Sequence, residues 1–134
     1  MLIDAMTTPF ICVLVAYLLI YLPKLPLSAA MAKQPGGYDN KDPRGQQAKL
    51  DGWGARARAA HYNGFEAFPG FAAAVLVAHL CGADDYRASV LSVAFVVSRT
   101  LYIGAYLADQ DYLRSAIWGI GFVCTLALFG LPWL

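Results

Sequence analysis

The sequence predicts an all-α membrane protein, a four-transmembrane-helix bundle forming one domain over residues 1–134, and three observations carry that expectation. The chain is 59% hydrophobic and only 14% charged, with a mean hydropathy of +0.51, whereas a soluble domain has about 25% charged and 45–50% apolar residues. Four apolar stretches have the length that crosses ~30 Å of hydrocarbon. A single long polar segment separates the first stretch from the other three. Charge excludes one large class of function: 10 Lys and Arg against 9 Asp and Glu leave +1, so no strongly basic field is available for nucleic acid. The cysteines Cys12, Cys81 and Cys124 lie scattered in apolar stretches with no C-x-x-C spacing, which offers neither a disulfide framework nor a metal site. They read as inert membrane residues.

The first span is expected over about 5–27. Ala5 to Leu22 is 18 residues without a charge, and Pro23 and Pro26 then stop the helix, because proline lacks the N–H and clashes with the previous turn. A secretory signal is the rival reading, since Ser28-Ala29-Ala30-Met31-Ala32 resembles a small-residue cleavage site. The segment before the apolar run has no Lys or Arg, and Lys24 falls between that run and the site. A retained span is therefore expected.

Residues 28–52 read as a polar loop, broken by Pro35, Gly36, Gly37, Pro43 and Gly45. A loop beyond about 12–15 residues is usually functional or disordered. The second span, about 53–81, starts polar and becomes apolar from Ala67 onward, and at 1.5 Å per residue it reaches ~42 Å, longer than the bilayer core. Gly82-Ala83-Asp84-Asp85 makes a turn into the third span, about 86–108, whose interior is interrupted by Arg99. The fourth span, about 112–134, carries no charge after Arg114. Lys24, Lys33, Lys41, Arg44, Lys49, Arg56, Arg58 and Arg114 fall on one side and Arg87 on the other, so the positive-inside rule puts the long loop in the cytoplasm. An integral, multi-pass protein of the inner (plasma) membrane is expected. Trp53, Tyr86, Tyr112 and Trp133 lie near the span ends, as interfacial aromatics do.

The informative residues are the polar ones inside these spans. A central arginine costs ~2.5–3.5 kcal/mol on the insertion scale, which the apolar residues around Arg99 offset at about −0.3 to −0.6 each. At ~100° per residue, Arg56, Arg58, His61, Asn63 and Glu66 spread over about 200° of one helix. One lipid-facing helix cannot shelter that arc, because each unpaired polar group in hydrocarbon costs several kcal/mol. Burial among other helices, including those of neighbouring subunits, is therefore expected. Arg99, Tyr102 and Tyr106 fall within about 60° and form one polar stripe. Blander readings stand beside these. Glu66 and an arginine could simply form an interhelical ion pair that fixes packing, and His61, with no second ligand at i+4, suits a hydrogen-bonded packing role better than a metal site. His79 reads as interfacial, and Ser115 lacks the nucleophile-elbow context of a serine hydrolase.

The run Arg56-Ala-Arg58-Ala-Ala-His61-Tyr-Asn63-Gly-Phe-Glu66-Ala-Phe68-Pro69 resembles the second-helix signature of the MAPEG family, the membrane-associated proteins of eicosanoid and glutathione metabolism. Arg99-Thr-Leu-Tyr102-Ile-Gly-Ala-Tyr106 is similar to the family's third-helix pattern as its leukotriene-C synthases carry it. Arg114-Ser115 resembles, with a one-residue gap, the Arg-Ser pair that opens the fourth helix in its prostaglandin E synthases. Ala59 and Tyr62 stand where many members have arginine. The resemblance implies a bacterial-type member like the microsomal glutathione transferases, assembled as a homotrimer that binds glutathione between subunits near the cytoplasmic face. Arg56, Arg58, His61, Asn63, Glu66, Arg99, Tyr102 and Tyr106 would bind glutathione, and Arg114 and Ser115 would serve catalysis. Arginine forks suit carboxylates, Glu66 suits the ammonium, and a thiol needs a nearby cation or hydroxyl to ionise. The implied activity is transfer of glutathione to, or peroxidase action on, a lipophilic small molecule from the membrane lipid. A non-catalytic trimer holding a lipid or partner in the same groove is the second reading, since fold does not establish chemistry. A small transporter is weakened because the charges cluster at one membrane face.

Overall fold

A computed structural model describes residues 7–134, so residues 5 and 6 of the expected first span lie outside the described residues. Six α-helices follow in order: α1 (Thr7–Tyr21), α2 (Lys24–Ala32), α3 (Pro43–Ala48), α4 (Gly52–Leu80), α5 (Asp85–Leu107) and α6 (Asp111–Gly130), with a 3-10 turn at Leu131–Trp133. Among the described residues there is no strand. Three stretches are long and apolar enough to cross a membrane: Thr7–Ala32, Asp85–Leu107 and Asp111–Trp133. α4 is the longest helix at 29 residues, but its polar residues from Arg56 to Glu66 leave an apolar run only from Ala67 onward.

The first span differs from its expected form. The helix ends at Tyr21, just before Pro23, as expected, but a new helix, α2, starts at Lys24 and carries the chain on to Ala32. The reason is positional. Pro26 lies in the first turn of α2, where backbone N–H groups lack intrahelical acceptors in any case, and the new helix restarts with Leu27 donating to the Pro23 carbonyl at 3.1 Å. Within the segment 28–52, expected as a polar loop, residues 28–32 belong to α2 and residues 43–48 form α3. Asp42 starts α3 by accepting from Gly45 N–H at 3.0 Å, and Asp84 starts α5 by accepting from Arg87 N–H at 2.8 Å. Both are side-chain caps of otherwise free amides.

α4 occupies the middle of the assembly and touches α1, α2, α5 and α6. Its buried positions toward the N-terminal end are small: Gly54, Ala57, Ala60 and Gly64. Small residues let helix backbones approach closely where hydrocarbon gives no hydrophobic push between helices. Gly64 shows how closely, since a Cβ there would lie 3.0 Å from the Ile20 Cα. On the other side Phe71 of α4 stacks on Phe95 of α5 with centroids 3.9 Å apart. α5 and α6 close on one another at Gly121, where a Cβ would come within 2.8 Å of Ser98 Oγ. His61 is buried and its Nδ1 lies 2.6 Å from the Ile20 carbonyl oxygen, a group in the last turn before the Pro23 bend. Outward, the helices present Leu14, Leu18, Val97, Leu101, Val123 and Leu126 as exposed apolar surface, the character of a lipid-facing wall.

The close α1–α4 approach generates the first prediction. Gly64→Val should destabilise the protein by about 1–3 kcal/mol, because the clash is with backbone. Gly104→Ala, a site with open space around its would-be Cβ, should leave the detergent-solubilised melting temperature unchanged or higher. Equal melting of the two variants would refute the close approach.

Candidate functional site

The polar residues of α4 divide into two groups with different fates. Asn63 and Glu66, one turn apart, are joined by a hydrogen bond from the Asn63 amide nitrogen to Glu66 Oε2 at 3.0 Å. They face a cavity of about 230 Å3 between α4, α5 and α6, which Arg99 also lines. Arg99 is 6% exposed, and its guanidinium stands 4.2 Å from the centroid of the Tyr102 ring. An aromatic face is a fitting neighbour for a cation withdrawn from water, because the ring's negative face attracts it. The remaining walls are apolar, including Phe95, Trp118 and Phe122.

A second cavity of about 220 Å3 lies further along α5 and α6, lined by Tyr102, Tyr106, Arg114, Ser115 and Trp118. Tyr102 and Tyr106 meet edge to face with centroids 5.6 Å apart. The Arg114 guanidinium lies 4.4 Å from the Tyr106 centroid. Two rings in edge contact, each faced by one cation, therefore follow one another along one edge of the bundle in the order Arg99, Tyr102, Tyr106, Arg114. Trp118 is the wall common to both cavities. The arrangement offers two guanidiniums, one carboxylate and three hydroxyls on a narrow polar track beside an apolar wall.

Arg56, Arg58 and His61 are not brought to either cavity. Arg56 approaches Asp109, in the α5–α6 turn, at 4.0 Å. Arg58 stands over the Tyr62 ring at 5.0 Å. His61 makes its bond to Ile20. The interhelical ion pair weighed for Glu66 is also absent. Among the described residues Arg56–Asp109 is the ion pair formed, and Glu66 is bonded to Asn63 instead. The Asn63 side-chain oxygen is buried without a partner, so an acceptor stays open beside the Glu66 carboxylate.

Sequence reasoning missed the walls of the site. Trp118 and Phe122 are stacked, 5.2 Å apart and 8° from parallel, and their i, i+4 spacing after Arg114 puts all three on one face of α6. That spacing was the available signal. Tyr62, which stands where many members have arginine, accepts a hydrogen bond from Arg44 Nη1 at 3.1 Å.

The profile of the MAPEG family matches residues 8–134, and the chain belongs to that family. No curated protein and no solved structure matches it.

The two arginines of contrasting burial give the second prediction. Arg99→Gln should lower stability by about 2 kcal/mol through the lost, desolvated cation–π contact. Arg56→Gln breaks a pair whose acid is 75% exposed, and should cost less than ~1 kcal/mol. Thermal unfolding in one detergent compares them, and a larger loss for Arg56→Gln would overturn the burial argument.

Proposed function

We propose that this member of the MAPEG family is a glutathione-dependent transferase or peroxidase of the bacterial-type, microsomal glutathione transferase-like kind, acting on lipophilic electrophiles drawn from the bilayer. The observation that carries the reading is the track from Asn63, Glu66 and Arg99 to Tyr102, Tyr106, Arg114 and Ser115, with Trp118 between a polar and an apolar side. The residues fit the ligand's chemistry. Glu66 and the open Asn63 oxygen accept from an ammonium, and the buried Arg99 offers donors to a carboxylate.

Bound glutathione would supply a thiol, a strong nucleophile once ionised. Arg114 favours the ionised form there. A free thiol near pKa 8.5 is only a few per cent thiolate at neutral pH, and a neighbouring cation lowers that value. The Tyr106 ring holds the Arg114 guanidinium in place, and the Ser115 hydroxyl is a second donor lining the same cavity. Phe95, Trp118 and Phe122 exclude water and accept an apolar co-substrate arriving from the lipid.

The functional unit in this proposal is a homotrimer, with the 28–52 segment in the cytoplasm. Family membership supports the trimer. The apolar walls also favour a second reading, a non-catalytic trimer that holds a lipid in the groove.

Four measurements test these statements. Titration calorimetry of the solubilised protein should show saturable glutathione binding, and its absence overturns the proposal; binding without conjugation of a generic electrophile selects the second reading. Glu66→Gln should reduce the thermal shift produced by glutathione, whereas equal shifts in wild type and variant would make Glu66 structural. Arg114→Ala should lower conjugation about tenfold or more while binding persists, and an unchanged thiolate absorbance would remove Arg114 from the chemistry. Native mass spectrometry should show three chains, and a dominant monomer would sink the intersubunit assembly.

A further inference from the structure

A second cluster of cations lies on α4 away from both cavities. The Arg44 guanidinium, from α3, donates to the Tyr62 hydroxyl at 3.1 Å and lies 5.7 Å from the Tyr62 ring centroid. The Arg58 guanidinium lies 5.0 Å from the same centroid. Two positive groups thus converge on one tyrosine, and among the described residues no carboxylate comes within 4.0 Å of either. Arg58 Nε is buried with no hydrogen-bond partner. Like charges gathered without a counter-ion repel, and they are relieved by an anion that accepts from both forks. Phosphate suits arginine forks because it offers several acceptor oxygens in matching geometry.

The surroundings say which phosphate. Tyr62 is six residues beyond Arg56, which pairs with the α5–α6 turn at Asp109, so the cluster is about 9 Å along α4 from the level of that turn. Tyrosine and arginine side chains on a helix lean back toward its N-terminus, which brings their polar tips nearer that level. One turn along α4 is an aromatic surface. Tyr21 and Phe65 meet edge to face at 5.9 Å and are 41% and 43% exposed. Cations near the connection of two apolar helices, with an aromatic strip alongside, match an amphiphile with a phosphate head. We infer that Arg44 and Arg58 bind the phosphate of an anionic phospholipid, whose chain lies along Tyr21 and Phe65. The Tyr62 hydroxyl, which accepts from Arg44 and donates to Gln47 Oε1 at 3.4 Å, holds the Arg44 fork in place. The lipid would pin α3 to α4, tying the segment between the first two spans to the membrane.

Native mass spectrometry of the full-length protein, incubated with phosphatidylglycerol or with diacylglycerol lacking phosphate, tests this. Wild type should retain phosphatidylglycerol in preference. Arg44→Gln and Arg58→Gln should each reduce retention about fivefold, the equivalent of ~1 kcal/mol per basic side chain at an anionic surface. Lys49→Gln, an exposed cation outside the cluster, should leave retention unchanged. Arg44 is itself exposed, so its substitution reads out binding even if Arg58→Gln disturbs folding. Undiminished phosphatidylglycerol in the double variant overturns the inference. So does stabilisation by inorganic phosphate that depends on the arginines while lipid retention does not. Loss of calorimetric glutathione binding in Arg58→Gln with lipid retention intact would also overturn it, by moving Arg58 to the glutathione site.

Discussion

A guanidinium cannot be left unpartnered inside a helix that otherwise faces hydrocarbon, and the bundle is arranged around that constraint at Arg99. Hydrocarbon offers no water to solvate the charge, so α5 must turn Arg99 toward the other helices. There it meets the Tyr102 ring on its own helix and shares a cavity with Glu66 and Asn63 of α4. The cavity persists because Gly70 and Gly121 contribute no side chain to its walls. Burial of one charge thereby fixes the rotation of α5, opens the space between three helices, and places the following tyrosines on the same edge.

α4 solves a related problem by division of labour. Its small residues pack against α1 and α2, and its carboxylate and amide turn to the cavity, while its arginines look away from both. A helix so polar in its first half does not qualify by hydropathy as a membrane span, as the three other stretches do. It is sheltered instead by contact with its neighbours on several sides. The helix that carries the Asn63–Glu66 pair is thus the one long helix that does not pass as a span on hydropathy.

Much of this was legible in the sequence. Runs of apolar residues with charges at their ends identify α5 and α6, and the Arg99, Tyr102, Tyr106 spacing puts one polar stripe on α5. Asn63 and Glu66 were legible only as members of a wide polar arc on one helix, and their bond to one another was not. What stayed hidden needed three dimensions. Pro23 reads as a stop signal, yet a proline bend and a proline end look alike until the first turn of α2 is seen to tolerate Pro26. Arg58 and Glu66 lie within about 80° on a helical wheel, yet Arg58 is drawn off by Tyr62 and α3, whose return to α4 is a long-range contact. The aromatic wall from α6 carries no charge or motif to advertise it.

The bend at Pro23 ties the backbone of the first span to a distant side chain. A broken helix leaves carbonyls without their usual donors, and at Ile20 the donor is a side chain forty-one positions away, His61. A substitution that removed Pro23 and let the helix run on would return a backbone donor to that carbonyl and leave His61 without its acceptor. One that removed His61 with the bend in place would leave a buried oxygen unsatisfied. The joint is thus an exchange of donors, in which an imidazole stands in for a backbone amide.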